Sequence, residues 1–291
     1  MRICYLASQL TIPGAVKRRA DAFEHDQMMA VLRPPIEADG SILEDLCWDD
    51  PGTNWASYDA VIIGTTWDYP DRPQEFLAAL GQISSQTLLY NSLELVRWNY
   101  EKTYLRDMAD KGTRTVPTLW FDKVTAEDVG KAFEMLGADD LVFKRQVGAN
   151  ADGQYRLKPG DIVPEMLEPM MVQPFLQAIK DEGEISFIFV DGEFCHAVQK
   201  RPVAGEYRIQ SLYGGLETSY APNGQDLLEA SNVLDALSEI PLYARVDMVR
   251  GDSGKLCVME LEAIEPFLYP LQGPELGMKI YQALKRRVLG E

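Results

Sequence analysis

The chain has only two histidines, His25 and His196, and four scattered cysteines, Cys4, Cys47, Cys195 and Cys257, with no C-x-x-C among them. That scatter excludes a zinc finger or ribbon, whose ligands sit at short fixed spacings, and gives no disulfide framework. Cys4, Cys195 and Cys257 fall in apolar, strand-like runs and are expected as buried, reduced thiols of a cytoplasmic protein. Basic residues are also short, with 28 Lys and Arg against 45 Asp and Glu, a net charge of −17 over 291 residues. Such a surface repels a polyanion, so nucleic acid is not the expected partner, although a few converging cations suffice for a nucleotide. No apolar run is long enough to cross a membrane, and Met1-Arg-Ile-Cys-Tyr-Leu-Ala-Ser8 is expected as a first strand, not a secretion signal. Two phosphate-binding fingerprints are missing as well: no G-x-G-x-x-G follows that strand, and no G-x-x-x-x-G-K-[ST] occurs anywhere.

What remains is a globular composition, 46% hydrophobic and 25% charged, on a length that calls for two or three packed subdomains. The first 95 residues alternate buried strands (Arg2 to Ala7, Tyr58 to Gly64, Thr87 to Tyr90) with helical spacings (Ala20 to Leu32, Phe76 to Ile83), an α/β pattern. A helix is predicted over Ser92 to Lys111, then an extended stretch, Thr115 to Phe121, because the residue before a proline avoids the helical region. Ala126 to Gly137 reads as a further helix. Beyond it strands dominate: Leu141 to Lys144, Met170 to Leu176, Glu184 to Val190, Glu193 to Lys200, Tyr207 to Gln210, Ala244 to Arg250 and Leu256 to Leu261, closed by a helix from Gly277 to Val288. Turns at Asp191-Gly192 and Gly251-Asp-Ser-Gly254 signal two hairpins, so this part is expected to be antiparallel. The segment Val147-Gly-Ala-Asn-Ala-Asp-Gly153 is a loop of the kind that covers ligands.

The acidic residues carry the first chemical signal. Asp247 sits inside an apolar strand, and Glu260 and Glu262, two apart on its hairpin partner, share one face. Carboxylates crowded on one sheet face need water, a proton or a cation between them, and an all-oxygen set of this kind suits Mg²⁺. Lys144 and Lys200 close apolar strands; each can snorkel from a strand end, or, with Lys102, Arg145, Arg201 and Arg208, face a polyphosphate. Trp67 and Tyr69 follow the strand Val61-Ile-Ile63 at the carboxyl end where open α/β sheets bind ligands, a place where they can equally pack a domain interface.

Taken together, the stretches Asn91-Ser-Leu-Glu-Leu-Val-Arg-Trp-Asn-Tyr-Glu-Lys102, Leu141-Val-Phe-Lys144 with its Gly-rich loop, Val172-Gln-Pro-Phe-Leu176, Gly183-Glu-Ile-Ser186, Tyr213-Gly-Gly215, Arg245-Val-Asp-Met-Val249 and Met259-Glu-Leu-Glu-Ala-Ile-Glu-Pro266 resemble the ATP-grasp superfamily over nearly the whole chain. They are similar to its glutathione-synthetase-like branch, and with Gly64-Thr-Thr-Trp-Asp-Tyr69 most similar to the O-ureido-D-serine cyclo-ligase group of cycloserine biosynthesis. The resemblance implies an α/β (α+β) ATP-grasp fold with an N-terminal substrate domain (1–95), a lid (96–170) and a C-terminal ATP- and metal-binding subdomain (171–291). It implies ATP and Mg²⁺ as cofactors, a small amino-acid or peptide-like substrate, and a homodimer. Carried over by position, Lys102 and Lys144 contact the nucleotide phosphates under a loop that includes Gly148 and Gly153. Gln173, Pro174 and Phe175 line the adenine, and Asp181 or Glu184 holds the ribose. Lys200 and Arg208 meet the transferred phosphate, Asp247, Glu260 and Glu262 hold magnesium, with Glu265 as an extra acid, and Thr66, Trp67 and Tyr69 meet substrate.

Two departures stand out. The superfamily usually has Asn where Glu262 stands, and the related group reads Arg-Ser-Thr-Trp-Asp-Tyr where this chain begins with Gly64, leaving Arg245 or Arg97 to bind a substrate carboxylate. The implied activity is ADP-forming ligation through an acylphosphate attacked by an amine, or ring closure when the attacking nitrogen belongs to the same molecule. A nucleotide-binding regulator without catalysis is the alternative, and its expected mark, loss of the metal acids, is absent.

Overall fold

A computed structural model describes residues 1–148, 153–203 and 214–290. The strand expected over Tyr207 to Gln210 and the candidate Arg208 lie outside the described residues. Three sheets organise the described residues. The first is parallel, ordered β2-β1-β3-β4 from β1 (Arg2–Ala7), β2 (Ile42–Cys47), β3 (Ala60–Thr65) and β4 (Leu88–Tyr90), with α1 (Phe23–Glu37) and α2 (Pro73–Ser84) in its crossovers. Every residue of β3 is buried, which is why it reads as a continuous apolar run. Strand β2 escaped the sequence reading because it is an edge strand whose Glu44 and Asp45 break the apolar run.

The predicted helix over Ser92 to Lys111 is instead two short ones, α3 (Leu93–Asn99) and α4 (Tyr104–Asp110). Ser92 caps the first, its Oγ accepting from Leu95 N at 3.1 Å. The break falls where Lys102 N turns away to donate to Gln146 O at 2.8 Å, a tertiary bond with no local sequence signal. The second sheet, ordered β5-β8-β6-β7, joins β5 (Leu119–Phe121), β6 (Leu141–Arg145), β7 (Tyr155–Leu157) and β8 (Met170–Pro174), backed by α5 (Ala126–Leu136). It runs through Pro174, past the expected lid boundary at 170, because β8 pairs with both β5 and β6. Helix α5 opens on a capping box between Thr125 and Asp128 and stops at Gly137.

The third sheet is antiparallel, ordered β11-β10-β9-β12-β13: β9 (Glu184–Val190), β10 (Glu193–Arg201), β11 (Leu216–Tyr220), β12 (Tyr243–Arg250) and β13 (Leu256–Glu262), both expected hairpins included. Between β8 and β9 lies a single turn, α6 (Ala178–Asp181). Helix α7 (Gly224–Leu234), unread in the sequence, starts on Asn223, whose side chain accepts from Gln225 N and Asp226 N. The C-terminal helix α8 (Leu276–Leu289) packs on α1, and Gly277 lets the backbones close: a Cβ there would stand 1.9 Å from Val31 O.

One apolar cluster runs through both outer sheets, from Ile3, Ile62 and Leu32 to Ile188, Val198 and Leu284. Polar ties reinforce it. Asn91 donates to Tyr243 O and Ala263 O, and Tyr243 hydroxyl reaches Ile63 O at 2.6 Å and Ile264 O at 2.8 Å. The middle sheet has its own core, built on Leu141, Phe143, Met170 and Val172. All four cysteines are free; Cys4 and Cys47 are buried, whereas Cys195 and Cys257, expected inside, are half-buried. No helix among the described residues is long and apolar enough to cross a membrane.

Candidate active site

The third sheet aligns the acids and cations by register. In one row Ser186, Asp247 and Glu260 stand side by side on β9, β12 and β13; in the next, Arg245 pairs with Glu262; and Lys200 of β10 pairs with Glu184 of β9. Alternation along the strands puts these side chains on one face. The groups bond one another tightly. Lys200 Nζ meets Glu184 and lies 3.4 Å from Asp247 Oδ1, Ser186 Oγ donates to Asp247, and Arg245 Nε and Nη2 fork onto Asp247 at 2.9 to 3.1 Å. Arg245 also meets Glu262 and donates through Nη1 to Phe267 O at 3.0 Å, so every arm of its guanidinium is in use.

Electrostatics follow from that geometry. Burial works against the Asp247 carboxylate, but Arg245 and Lys200 hold it down at about 2. Glu262 goes the other way: burial, aided by the charges of Glu260, Asp247 and Glu265, pushes it up to about 8 in spite of Arg245. Burial raises Glu184 against the pull of Lys200 and lowers Lys144. Tyr269, which sequence reasoning missed, roofs the row; its ring centroid lies 5.9 Å from Lys200 Nζ and 5.6 Å from the Arg245 guanidinium carbon. It takes φ +48°, a left-handed conformation uncommon for a bulky residue and found where packing over-determines the backbone. Its only sequence sign is the neighbouring Pro270.

Lys102 brings the middle lobe to this row. From the break between α3 and α4 its Nζ reaches Glu260 Oε1 at 2.8 Å and Gly148 O at 2.7 Å. Lys144, near the end of β6, donates to Gln173 Oε1 at 3.1 Å, and Gln173 Nε2 passes to Thr118 Oγ1 at 3.0 Å. Phe175 follows Pro174 with its ring 3.5 Å from the Arg156 guanidinium carbon, and Gly153 sits close against the Arg145 guanidinium. Of the two ribose candidates, Glu184 is buried beside Lys200, whereas Asp181 is exposed and bonds Gln177.

In the N-terminal lobe, Trp67 is half-buried and its indole N–H donates to Glu265 O at 3.2 Å. Tyr69 lies inside the core against Phe76, and Glu265 is its hydroxyl's partner, so its link to the site runs through that acid. The Thr66 hydroxyl is buried with no partner among the described residues. Arg97 is exposed on α3. At Gly64, where the related group has arginine, a Cβ would stand 2.1 Å from the Tyr5 ring and 2.6 Å from Leu6 O, so no larger residue fits this backbone.

The donor set suits a hard divalent cation: Asp247, Glu260 and Glu262 offer oxygen only, and a cation would offset both the burial that raises Glu262 and the neighbouring negative charges that add to it. As the side chains stand, these acids hold Lys102, Lys200 and Arg245, and no group of three or more Cys, His, Asp or Glu among the described residues is placed to share an ion. A metal here would take Glu260 from Lys102, freeing that cation for phosphate.

Residues 4–91 match the family model of the N-terminal domain of D-cycloserine synthetase DcsG. The cycloserine biosynthesis protein DcsG of Streptomyces lavendulae is 26% identical over 85% of this chain and 89% of its own. A glutathione synthetase of Bradyrhizobium diazoefficiens is 24% identical over 72% and 67%. Among solved structures, D-cycloserine synthetase DcsG superposes with a TM-score of 0.80 at 22% identity over 99% of this chain and all of that one. The D-alanine–D-alanine ligase of Bacillus anthracis gives 0.71 at 14% identity, covering 99% and 97%.

Proposed function

We propose that this chain, which has the fold of ATP-grasp ligases and relatives among the ligases, is an ATP-dependent, ADP-forming carboxylate-amine ligase acting on a small amino-acid-like substrate. The observation that carries this reading is the buried row of Glu184, Lys200, Asp247 and Arg245 facing Lys102 and Lys144 across the two lobes. Burying so many charges is costly, and a row of this kind is kept where charge develops in a reaction.

Bound Mg-ATP supplies the phosphoryl group and offsets its charge. Asp247, Glu260 and Glu262 are the residues to hold the metal. Lys144, oriented by Gln173, and Lys102, once released from Glu260, neutralise the phosphates. Lys200, with Arg208, which lies outside the described residues, would stabilise charge on the transferring group, and Arg245, whose nitrogens are all engaged, would act through its positive charge on the oxyanion formed when the amine attacks the acylphosphate. No protein nucleophile is needed; positioning and exclusion of water do the rest. Gln173, Pro174 and Phe175 line the adenine side, and Glu184 is favoured over Asp181 for the ribose by its burial at the row.

Similarity to a cycloserine biosynthesis protein along most of the chain favours a second, narrower reading: closure of a ring within one ureido amino acid. Both readings share one test. Purified protein is given Mg-ATP with amino acids, dipeptides or O-ureido-D-serine, with hydroxylamine present, and ADP, hydroxamate and product mass are read. Substrate-dependent ADP with a trapped hydroxamate is the expected result, and in a parallel reaction without hydroxylamine a product heavier than either substrate marks ligation while one lighter than a single substrate marks cyclisation. ADP release that Lys144→Ala leaves intact would overturn the assignment.

A further inference from the structure

The parallel sheet holds a feature that neither the core nor the charged row uses. Its order, β2-β1-β3-β4, reverses between β1 and β3, and such a sheet opens a ligand crevice beyond the carboxyl ends of the two strands at the reversal. One wall is the β1 to α1 connection, residues 8–22, and the other begins at Thr66 and Trp67. The connection is firmly held: Thr11 Oγ1 donates to Thr65 O at 2.7 Å, and Arg18 donates to Thr11 O and Ala22 O at 3.0 Å. Within it, Arg19 Nε and Nη2 fork onto Asp21 at 2.8 and 2.7 Å, and its guanidinium stands 5.4 Å from the centroid of the Trp67 ring. Its third nitrogen, Nη1, has no hydrogen bond to a described residue. Thr66, the residue before Trp67, has a buried hydroxyl with no partner among the described residues.

Trp67 fixes where this crevice lies in the molecule. Its indole donates to Glu265 O, three residues past Glu262, which puts Trp67 against the segment that carries the carboxylates of the charged row. An arginine aimed by two nitrogens and stacked on an indole presents its free edge as a planar donor, a match for a planar oxygen-bearing group. The orphaned hydroxyl is a second polar group whose cost a bound ligand would offset. Resting on the ligase reading, we propose that Arg19 over Trp67 is a specificity residue that takes the non-reacting end of the substrate, a planar carboxylate or urea oxygen. Gly64 cannot carry a side chain against Tyr5, and Arg19 brings a cation to the same crevice from the neighbouring strand's connection.

The test compares three probes under Mg-ATP: O-ureido-D-serine with a distal urea, D-glutamate with a distal carboxylate, and D-α-aminobutyrate with neither. The wild type should release ADP faster with one of the first two than with the third, and which one wins identifies the oxygen. Arg19→Gln should erase that preference, raising KM for the favoured probe by about tenfold or more while kcat stays within about twofold. Arg19→Lys, which keeps the charge and loses the fork, should fall between. The rise in melting temperature given by Mg-ATP should be unchanged in both variants, which shows that they are folded and bind nucleotide. Equal turnover of all three probes, a preference that survives Arg19→Gln, or nucleotide binding with no response to any probe overturns the assignment of Arg19. Absence of Mg-ATP stabilisation in the wild type instead overturns the ligase reading on which it rests.

Discussion

The two faces of the third sheet come from the same strands, and they differ most at the end where β9, β10 and β12 carry Glu184, Lys200 and Asp247; farther along, Ile188, Val190 and Val198 return the second face to hydrocarbon. On one, Ile185, Phe187, Phe189, Ala244, Val246 and Met248 form a hydrocarbon layer against α4 and α7. On the other, Glu184, Ser186, Lys200, Arg245 and Asp247 are as well buried and are tied into a network of charge. The first face follows from burial of apolar area alone. The second lowers stability relative to packed hydrocarbon of the same volume, and a sequence keeps such a network for the chemistry it permits.

The sharpest way to separate the faces is activity. Lys144→Ala and Glu260→Ala should each lower ATP-dependent turnover by about a thousandfold or more, the range for removing a preorganised charge from a transition state, while leaving the fold intact. ADP release within a few fold of wild type would deny these residues a part in catalysis. Phe187→Ala, on the hydrocarbon face, should do the reverse, costing about 3–5 kcal/mol of stability by leaving a cavity, with residual activity per folded molecule unchanged; urea denaturation with an activity assay measures both.

A second pair of variants asks whether the charged face stabilises anything. Lys200→Met alone strands Glu184 and Asp247 and should cost about 3 kcal/mol or more. Adding Glu184→Leu to it should recover part of that loss, because the pair leaves together. Were the double variant the less stable of the two, the Lys200 to Glu184 contact would be a net source of stability and the contrast between the faces would soften.

How much of this was legible beforehand depended on how local the cause was. Strand β9 was read at its observed limits, and the β12 to β13 hairpin almost so, because period-2 alternation and Gly251 to Gly254 are local signals. The acid pattern Asp247, Glu260, Glu262 was visible for the same reason. What was invisible was set by distant partners: the break at Lys102, made by a bond to Gln146; the edge strand β2; and Tyr269, which matters only because Lys200 and Arg245 lie beneath its ring. Arg19 escaped notice because its place depends on the strand order, which no periodicity reveals.

The smallest expected effect lies at the border of the charged face, at Glu265, where the N-terminal and C-terminal lobes meet through Tyr69 and Trp67. Burial pushes its carboxyl up to about 7 against the pull of the Tyr69 hydroxyl and Lys102. Below the unfolded value near pH 4.5 both states hold the proton, and Glu265 contributes no pH dependence. Between that value and pH 7 the folded protein keeps a proton that the unfolded chain has released, so stability falls as pH rises, and above pH 7 the loss is complete. For a half-buried group the total is on the order of 2 kcal/mol. Glu265→Gln removes the titration and retains an acceptor for Tyr69. The stability of wild type minus that of the variant, from urea denaturation, should therefore decline by about that amount between pH 5 and pH 8. A difference that stays level over this range would mean that Glu265 ionises as freely as in the unfolded chain, and that the charged face ends at Glu262.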